Sequence, residues 1–426
     1  MSSSSIRPCL VTAEPDGNIY DRPELLMVCR RGDETLLPKP EELIPLPDES
    51  RLFLLPGRRA IGLDRKSGEL KVTDEFAVAA FTAPAYTLTA HPVFAKDAGA
   101  PMLPLFAYGA VGFAAGRFYV CARKVDADPR QIFKGIPRKM LLDKARALAL
   151  RYPDNRLIRH LASVCALRYN CPAARNLCLG RYEAPLPVSD ACNARCIACI
   201  SMQEKDSPVK RTPQNRLDFT PEAGEIVETM LHHAGNEKKF PVYSFGQGCE
   251  GEPLTRFELI AEAVGDFRAK GGQGTINVNS NASLPKAVEA LCRAGISSLR
   301  VSLNSADPLA YARYHRPCGY GFAEVRESIE IAKEAGVFVS LNLLFFPGFS
   351  DTEGEYEFLG SLIRETGTDM LQLRNLNIDP DYYLEIMSGL ERGPCIGFAA
   401  LRKRLGKDFP RLRLGYFNPA LSERVC

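Results

Sequence analysis

Three cysteines stand in one short stretch, Cys192-Asn-Ala-Arg-Cys196-Ile-Ala-Cys199, and the spacing C-x3-C-x2-C sets three thiolates on a single tight loop. Thiolates so placed can hold three irons of a cubane and leave the fourth without a protein ligand. An iron with an open position can chelate a ligand and hand it an electron, whereas a cluster with four cysteines only passes electrons. A zinc site draws its cysteines from paired knuckles with a second pair or histidines at a distance, and the chain has only 5 His. A disulfide framework is disfavoured, because the three thiols are too crowded to pair among themselves and no secretory signal precedes them. With 14 Cys in the chain, chance spacing is the bland alternative, and the order of the elements that follows lowers it.

Those elements belong to a chain of 426 residues, enough for two or three domains of about 150 residues each, with ample apolar content (46 %) for buried cores. A net charge of only +3 gives no argument for a nucleic-acid partner. The start, Met1-Ser-Ser-Ser-Ser-Ile-Arg-Pro8, has no apolar segment of the signal-peptide kind, and no run approaches the roughly 18 apolar residues of a membrane span. A soluble cytoplasmic protein is expected, with reduced thiols of which a subset serves as metal ligands.

Residues 1–125 alternate short β-rich runs (51–55, 76–81, 117–122) with Pro and Gly punctuation, and read as a β-rich accessory domain. Its cysteines, Cys9, Cys29 and Cys121, are isolated and read as packed or exposed thiols. Residues 126–180 turn helical, at 140–150 and 157–167, and read as a helical linker. They carry Cys165, Cys171 and Cys178, which are either ligands of an auxiliary cluster or small apolar residues on helical faces. Their x5 and x6 spacings match no cluster motif, which favours the second.

Residues 181–385 alternate strand and helix, as a parallel sheet with crossover helices does. Strands are expected at 184–188, 240–245, 274–281, 298–305, 337–345 and 370–376. Helices are expected from Thr220 as N-cap with Pro221 in the first turn, and at 256–270, 285–294 and 322–335. The sum is an α/β fold with a partial (β/α)6 barrel, whose ligands gather at the carboxyl ends of the strands. Asn279, Ser280 and Asn281 close the third strand, Ser302, Asn304 and Ser305 the fourth, Asn342 the fifth, and Arg374 and Asn375 the sixth. Polar groups in such places need partners, and a polar cofactor would supply them. After the sixth strand, Asp379, Asp381 and two tyrosines suit a polar or cationic substrate or form a surface turn. Residues 386–426 read as a basic helix and a further strand that extends the barrel.

The cysteine motif and the order of these elements, from Pro185 to about Tyr383, resemble the radical SAM superfamily of the CxxxCxxC type, without placement in a characterised family. The loop Cys249-Glu250-Gly251-Glu252-Pro253 looks like that superfamily's Gly-Gly-Glu-Pro segment, with Glu250 in place of the first glycine. The resemblance implies that Cys192, Cys196 and Cys199 hold a 4Fe–4S cluster. It also implies that Gly251, Glu252, Pro253, Ser280, Asn281, Ser302, Asn304 and Arg374, with Arg300 as a further candidate, contact S-adenosylmethionine (SAM). The implied activity is reductive cleavage of SAM to a 5′-deoxyadenosyl radical that takes hydrogen from a cofactor precursor or a peptide, with flavodoxin or ferredoxin as electron donor. A methylating or RNA-modifying member is the alternative, and a non-catalytic iron–sulfur or zinc protein is the alternative of another class. Cys249, beside the SAM loop, is a hydrogen donor, a ligand to a second cluster or an ordinary core residue.

Overall fold

The computed structural model describes residues 6–239 and 241–421. Phe240, with which the second barrel strand was expected to begin, lies outside them. Between Cys9 and Lys124 the chain forms a nine-stranded, mainly antiparallel sheet and a small three-stranded one. Its longest hairpin joins Arg51–Asp64 to Leu70–Phe81. Along the first of these strands Arg58, Ala60, Gly62 and Asp64 are buried in alternation, the period of a strand with one face covered. The turn between them is fixed by Asp64, whose Oδ1 accepts from the backbone N–H groups of Lys66 and Ser67.

Helices Arg138–Arg151, Arg156–His160 and Pro172–Leu179 follow, with residues Leu161–Arg168 widened into a π-helical stretch. Asn155 starts the second by accepting from Ile158 N at 2.8 Å. This layer packs its apolar side, including Leu157, Ile158 and Leu161, into the core of the barrel.

The barrel is a seven-stranded parallel sheet built in chain order from Glu183–Leu186, Val242–Phe245, Thr275–Ser280, Ser298–Leu303, Phe338–Phe345, Met370–Asn375 and Arg413–Gly415. Six of these are the expected ones, and the seventh comes from the C-terminal extension, pairing with the sixth from Met370 to Gln372. The first and last strands do not pair among the described residues, so the barrel is partial. Leu299, Val301 and Leu303 are fully buried against outer helices, while Ser298, Arg300 and Ser302 alternate with them and point to the lumen.

Local reading fails in two places. The helix expected from Thr220 runs instead from Ala223 to Asn236, because Glu225, held by Arg156, reaches back to the N–H of Glu222 at 2.8 Å. Helices Pro308–His315, Glu353–Thr366 and Pro380–Ile386 were not anticipated; the last occupies the segment that carries Asp381 and the two tyrosines.

Candidate functional site

The cysteine loop is pinned from two sides. On one, Arg195 N and Ile197 N donate to the carbonyls of His315 and Tyr314 at 3.0 Å, and Cys318 N donates to Asn193 O at 2.9 Å, so the loop rests on the end of helix 308–315. On the other, Gly251 N donates to Ser189 O at 2.7 Å and Glu252 N to Ala191 O at 2.8 Å. A Cβ on residue 251 would lie 1.8 Å from Ala191 O, so only glycine allows that approach.

Cys192, Cys196 and Cys199 are half-buried and line a cavity of about 280 Å³ together with Arg216, Arg316 and Tyr382. Among the described residues no three His, Cys, Asp or Glu side chains converge on a single ion. Three thiols that ring one cavity can hold separate corners of a cluster. Burial pushes the Cys192 thiol up to about 11 and, with the neighbouring thiols, Cys196 well above its ordinary value. Burial also pushes on Cys199, but hydrogen bonds from Ser201 and the charge of Arg216 outweigh it and hold that thiol below its ordinary value. Arg216 Nη2 and Ser201 Oγ both stand 3.5 Å from Cys199 Sγ, and His315 Nδ1 stands 3.4 Å from Cys196 Sγ. Cation and N–H donors of this kind favour thiolate, the form that binds iron. Neither Arg216 nor His315 was singled out from the sequence; their places depend on a strap and a helix whose contacts are long-range.

Beside the loop, Glu252 is buried and accepts from Ser280 Oγ at 2.6 Å, Asn281 N at 2.8 Å and Leu254 N at 3.0 Å. Burial lifts its carboxyl to about 7 against those bonds. The structure thus joins Gly251, Glu252, Pro253, Ser280 and Asn281 at the ends of the second and third strands. Asn281 also bonds Asn193 of the cysteine loop at 2.9 Å. Glu250 is a backbone clamp: its carboxylate accepts from Val188, Ser189 and Gln247 N–H groups at 2.6, 2.9 and 2.6 Å.

Other expected residues sit elsewhere. Ser302 faces the lumen, 3.5 Å from Asn342 Nδ2. Asn304 is fully buried and turned away, donating to Ala310 O and Tyr383 Oη. Arg374 donates through Nε to Tyr416 O at 3.0 Å. Cys249 is not among the residues that line the cavity: its side chain is buried in the main core together with Cys165, and that neighbouring thiol and burial hold its own thiol well above the ordinary value. Cys171 and Cys178 pack in the same core, and burial pushes them up to about 11 and about 12.

Asp379 and Asp381 do not await substrate. Asp379 pairs with the buried Arg58, and Asp381 with Arg30, each at 2.6 Å. Asn375 accepts from Leu88 N, and Leu373 O from Thr87 Oγ1, each at 2.7 Å. The β-rich unit is therefore docked on the barrel mouth, and its Met102 and Leu105 pack in one apolar cluster with Ile197 and Ala198 of the cysteine loop. Another cavity, of about 630 Å³, lies between that unit and the linker and is lined by no cysteine or histidine.

Residues 186–358 match the model of the radical SAM superfamily. The chain carries a radical SAM domain. Members of that superfamily are enzymes that use a 4Fe–4S cluster and SAM. The chain is 34% identical over 170 residues to GTP 3',8-cyclase of Rhizobium etli, covering 39% of this chain and 44% of that protein. It is 30% identical over 176 residues to GTP 3',8-cyclase of Listeria monocytogenes, covering 39% and 46%. These matches span less than half the length of the relatives. A solved radical SAM methyltransferase from Sphaerobacter thermophilus is similar at 18% identity and a TM-score of 0.34, over 48% of this chain and 62% of that one. No helix is long and apolar enough to cross a membrane among the described residues.

Proposed function

We propose that the chain is a radical SAM enzyme whose Cys192, Cys196 and Cys199 hold a 4Fe–4S cluster with one iron left for SAM. The observation that carries this reading is the meeting, at one barrel mouth, of three thiols ringing a cavity with the Gly251–Glu252–Ser280 cradle. When bound, the cluster would supply the electron that cleaves SAM reductively to a 5′-deoxyadenosyl radical, which takes hydrogen from the substrate.

The chain's own residues do the rest. Glu252 presents a buried carboxylate suited to an ammonium, held in place by Ser280 and the Asn281 N–H. Arg216 and His315 stabilise thiolate at Cys199 and Cys196. The docked β-rich unit covers the mouth and keeps water from a reactive intermediate. The name of the relatives, GTP 3',8-cyclase, favours a small molecule of the nucleotide kind over a peptide as substrate. A one-electron donor such as flavodoxin or ferredoxin, in the cytoplasm, completes the reading.

The test is anaerobic reconstitution with iron and sulfide, reduction with dithionite, and measurement of 5′-deoxyadenosine from SAM in wild type and Cys196→Ser. Nucleoside from the wild type alone supports the proposal. A loaded, reduced cluster that never cleaves SAM, with or without candidate substrates, counts against it. Iron of about four per chain favours one cluster, and about eight revives the group Cys165, Cys171 and Cys178 as ligands of a second.

A further inference from the structure

The lumen of the barrel holds two guanidinium groups that form no ion pair with a carboxylate among the described residues. Arg300 points inward from the middle of the fourth strand and Arg374 from the end of the sixth. Arg300 Nη1 reaches only Asn418 Oδ1, at 3.5 Å, and its Nε is buried with no hydrogen-bond partner. Arg374 donates to Tyr416 O and lies over the Tyr416 ring at 4.8 Å. Neither has an ion pair among the described residues. The carboxylate that acts on Arg300 is that of Glu183, and its Oε1 is already held by Ser244 Oγ at 2.5 Å and Asn418 Nδ2 at 3.4 Å. Burial and the charge of Arg374 press the Arg300 pKa well below its ordinary value. Like charges held close together with no paired carboxylate are costly, and a ligand that supplies an anion relieves that cost.

The lumen is shaped to admit one. Arg300, Ser302 and Arg374 keep accessible surface while Leu299, Val301, Leu303 and Leu373, alternating with them, have none. The floor is closed by Asn418 of the C-terminal tail, which also bonds Ser244, Asn279 and Gln372 at 3.3, 3.2 and 3.1 Å. The opening therefore faces the mouth with the cysteine loop and Glu252. Arg300 stands two residues before Ser302, about 7 Å deeper. Asn342 Oδ1 and Gln372 Oε1 are buried on the same wall without partners, and offer acceptors to hydroxyl or amine groups.

We propose that Arg300 and Arg374 form an anion site in the lumen that holds a phosphate or carboxylate group of the substrate, a small molecule that also carries hydroxyl or amine donors. Guanidinium groups bind such oxyanions through paired N–H donors. The inference rests on the radical SAM reading, since it places the substrate below a SAM held at Glu252. The same oxyanion chemistry is present in the carboxylate of SAM itself, and the test separates the two sources.

The melting temperature of the reconstituted full chain is followed under nitrogen against inorganic phosphate at constant ionic strength, with and without saturating SAM. The expected result is a saturable rise in the wild type that persists with SAM bound. In Arg300→Gln and in Arg374→Gln the midpoint should move to about tenfold higher phosphate, as loss of one charge-assisted hydrogen bond requires. No saturable rise in the wild type overturns the proposal, as does a rise that neither substitution weakens. A rise abolished by SAM also overturns it and gives the arginines to the SAM carboxylate. If Arg300→Gln does not fold, Arg374→Gln and Arg300→Lys carry the comparison. These melts read no nucleoside product, so they can fail while SAM cleavage stands, and the reverse.

Discussion

The Arg58 guanidinium donates through Nη2 to Asp379 Oδ2 at 2.6 Å, with the two side chains 0% and 1% exposed, and this pair ties the β-rich unit to the loop after the sixth barrel strand. Asp379 also accepts from Leu103 N at 3.0 Å and from Asp381 N at 3.0 Å, so one carboxylate holds both sides of the junction. Removing one partner leaves the other charged and buried. Arg58→Met should therefore destabilise the protein by about 3–5 kcal/mol, and Arg58→Met with Asp379→Leu should lose less than either change alone. Thermal melts of the three variants check this, and a single variant that melts with the wild type would sink the idea.

The cysteines divide into two groups with opposite expectations. Cys196→Ser should cost most of the cluster absorbance of the reconstituted protein and all SAM cleavage. Cys249→Ala, which removes a thiol packed against Cys165 in the core, should keep both and lower the melting temperature modestly. Loss of SAM cleavage in a well-folded Cys249→Ala would restore that thiol as a group of the site.

Much of this arrangement was legible in the sequence because its signals are local. The C-x3-C-x2-C spacing, the Gly251–Glu252–Pro253 run and the alternation of apolar strands with helices each speak within a dozen residues, and the first six strands fall close to where the pattern sets them. What was not legible depends on pairs far apart in the chain. Asp379 reads as a free carboxylate until Arg58, 321 residues away, is seen beside it. Asn418 reads as a tail residue until its bonds to Ser244, Asn279 and Gln372 show it closing the floor of the lumen. The helix start at Ala223 was misread because Thr220-Pro221 is a good local signal that loses to the Glu225–Arg156 contact.

Glu250 gives the stability a pH dependence of known sign. Burial pushes its carboxyl up from the ordinary 4.5 to about 8, against the pull of its three backbone N–H donors. Between those values the folded chain keeps a proton that the unfolded chain has lost. This contribution is complete below pH 4.5 and disappears as pH rises through about 8. Glu250→Gln cannot titrate, so its unfolding free energy should fall less steeply than that of the wild type across the window, by up to about 1.4 kcal/mol per pH unit, and its melting temperature should follow. Parallel pH profiles for the two proteins would refute the assignment.

His315 supplies the last expectation. Its ring is buried, stacks on Tyr311 at 4.2 Å between centroids, and sets Nδ1 3.4 Å from Cys196 Sγ, while Nε2 has no partner. Burial depresses its pKa to about 3, so the imidazole is neutral, and toward a thiolate it must donate from Nδ1. A donor to a ligand sulfur stabilises the extra negative charge of the reduced cluster and raises its potential. His315→Phe keeps the stacking and removes the donor. The midpoint potential of the reconstituted protein, read from the EPR signal of the reduced cluster, should shift negative with iron content unchanged. Arg216→Ala, at the other thiolate, should shift it in the same direction. Potentials equal to the wild type in both variants would show that neither contact survives cluster binding.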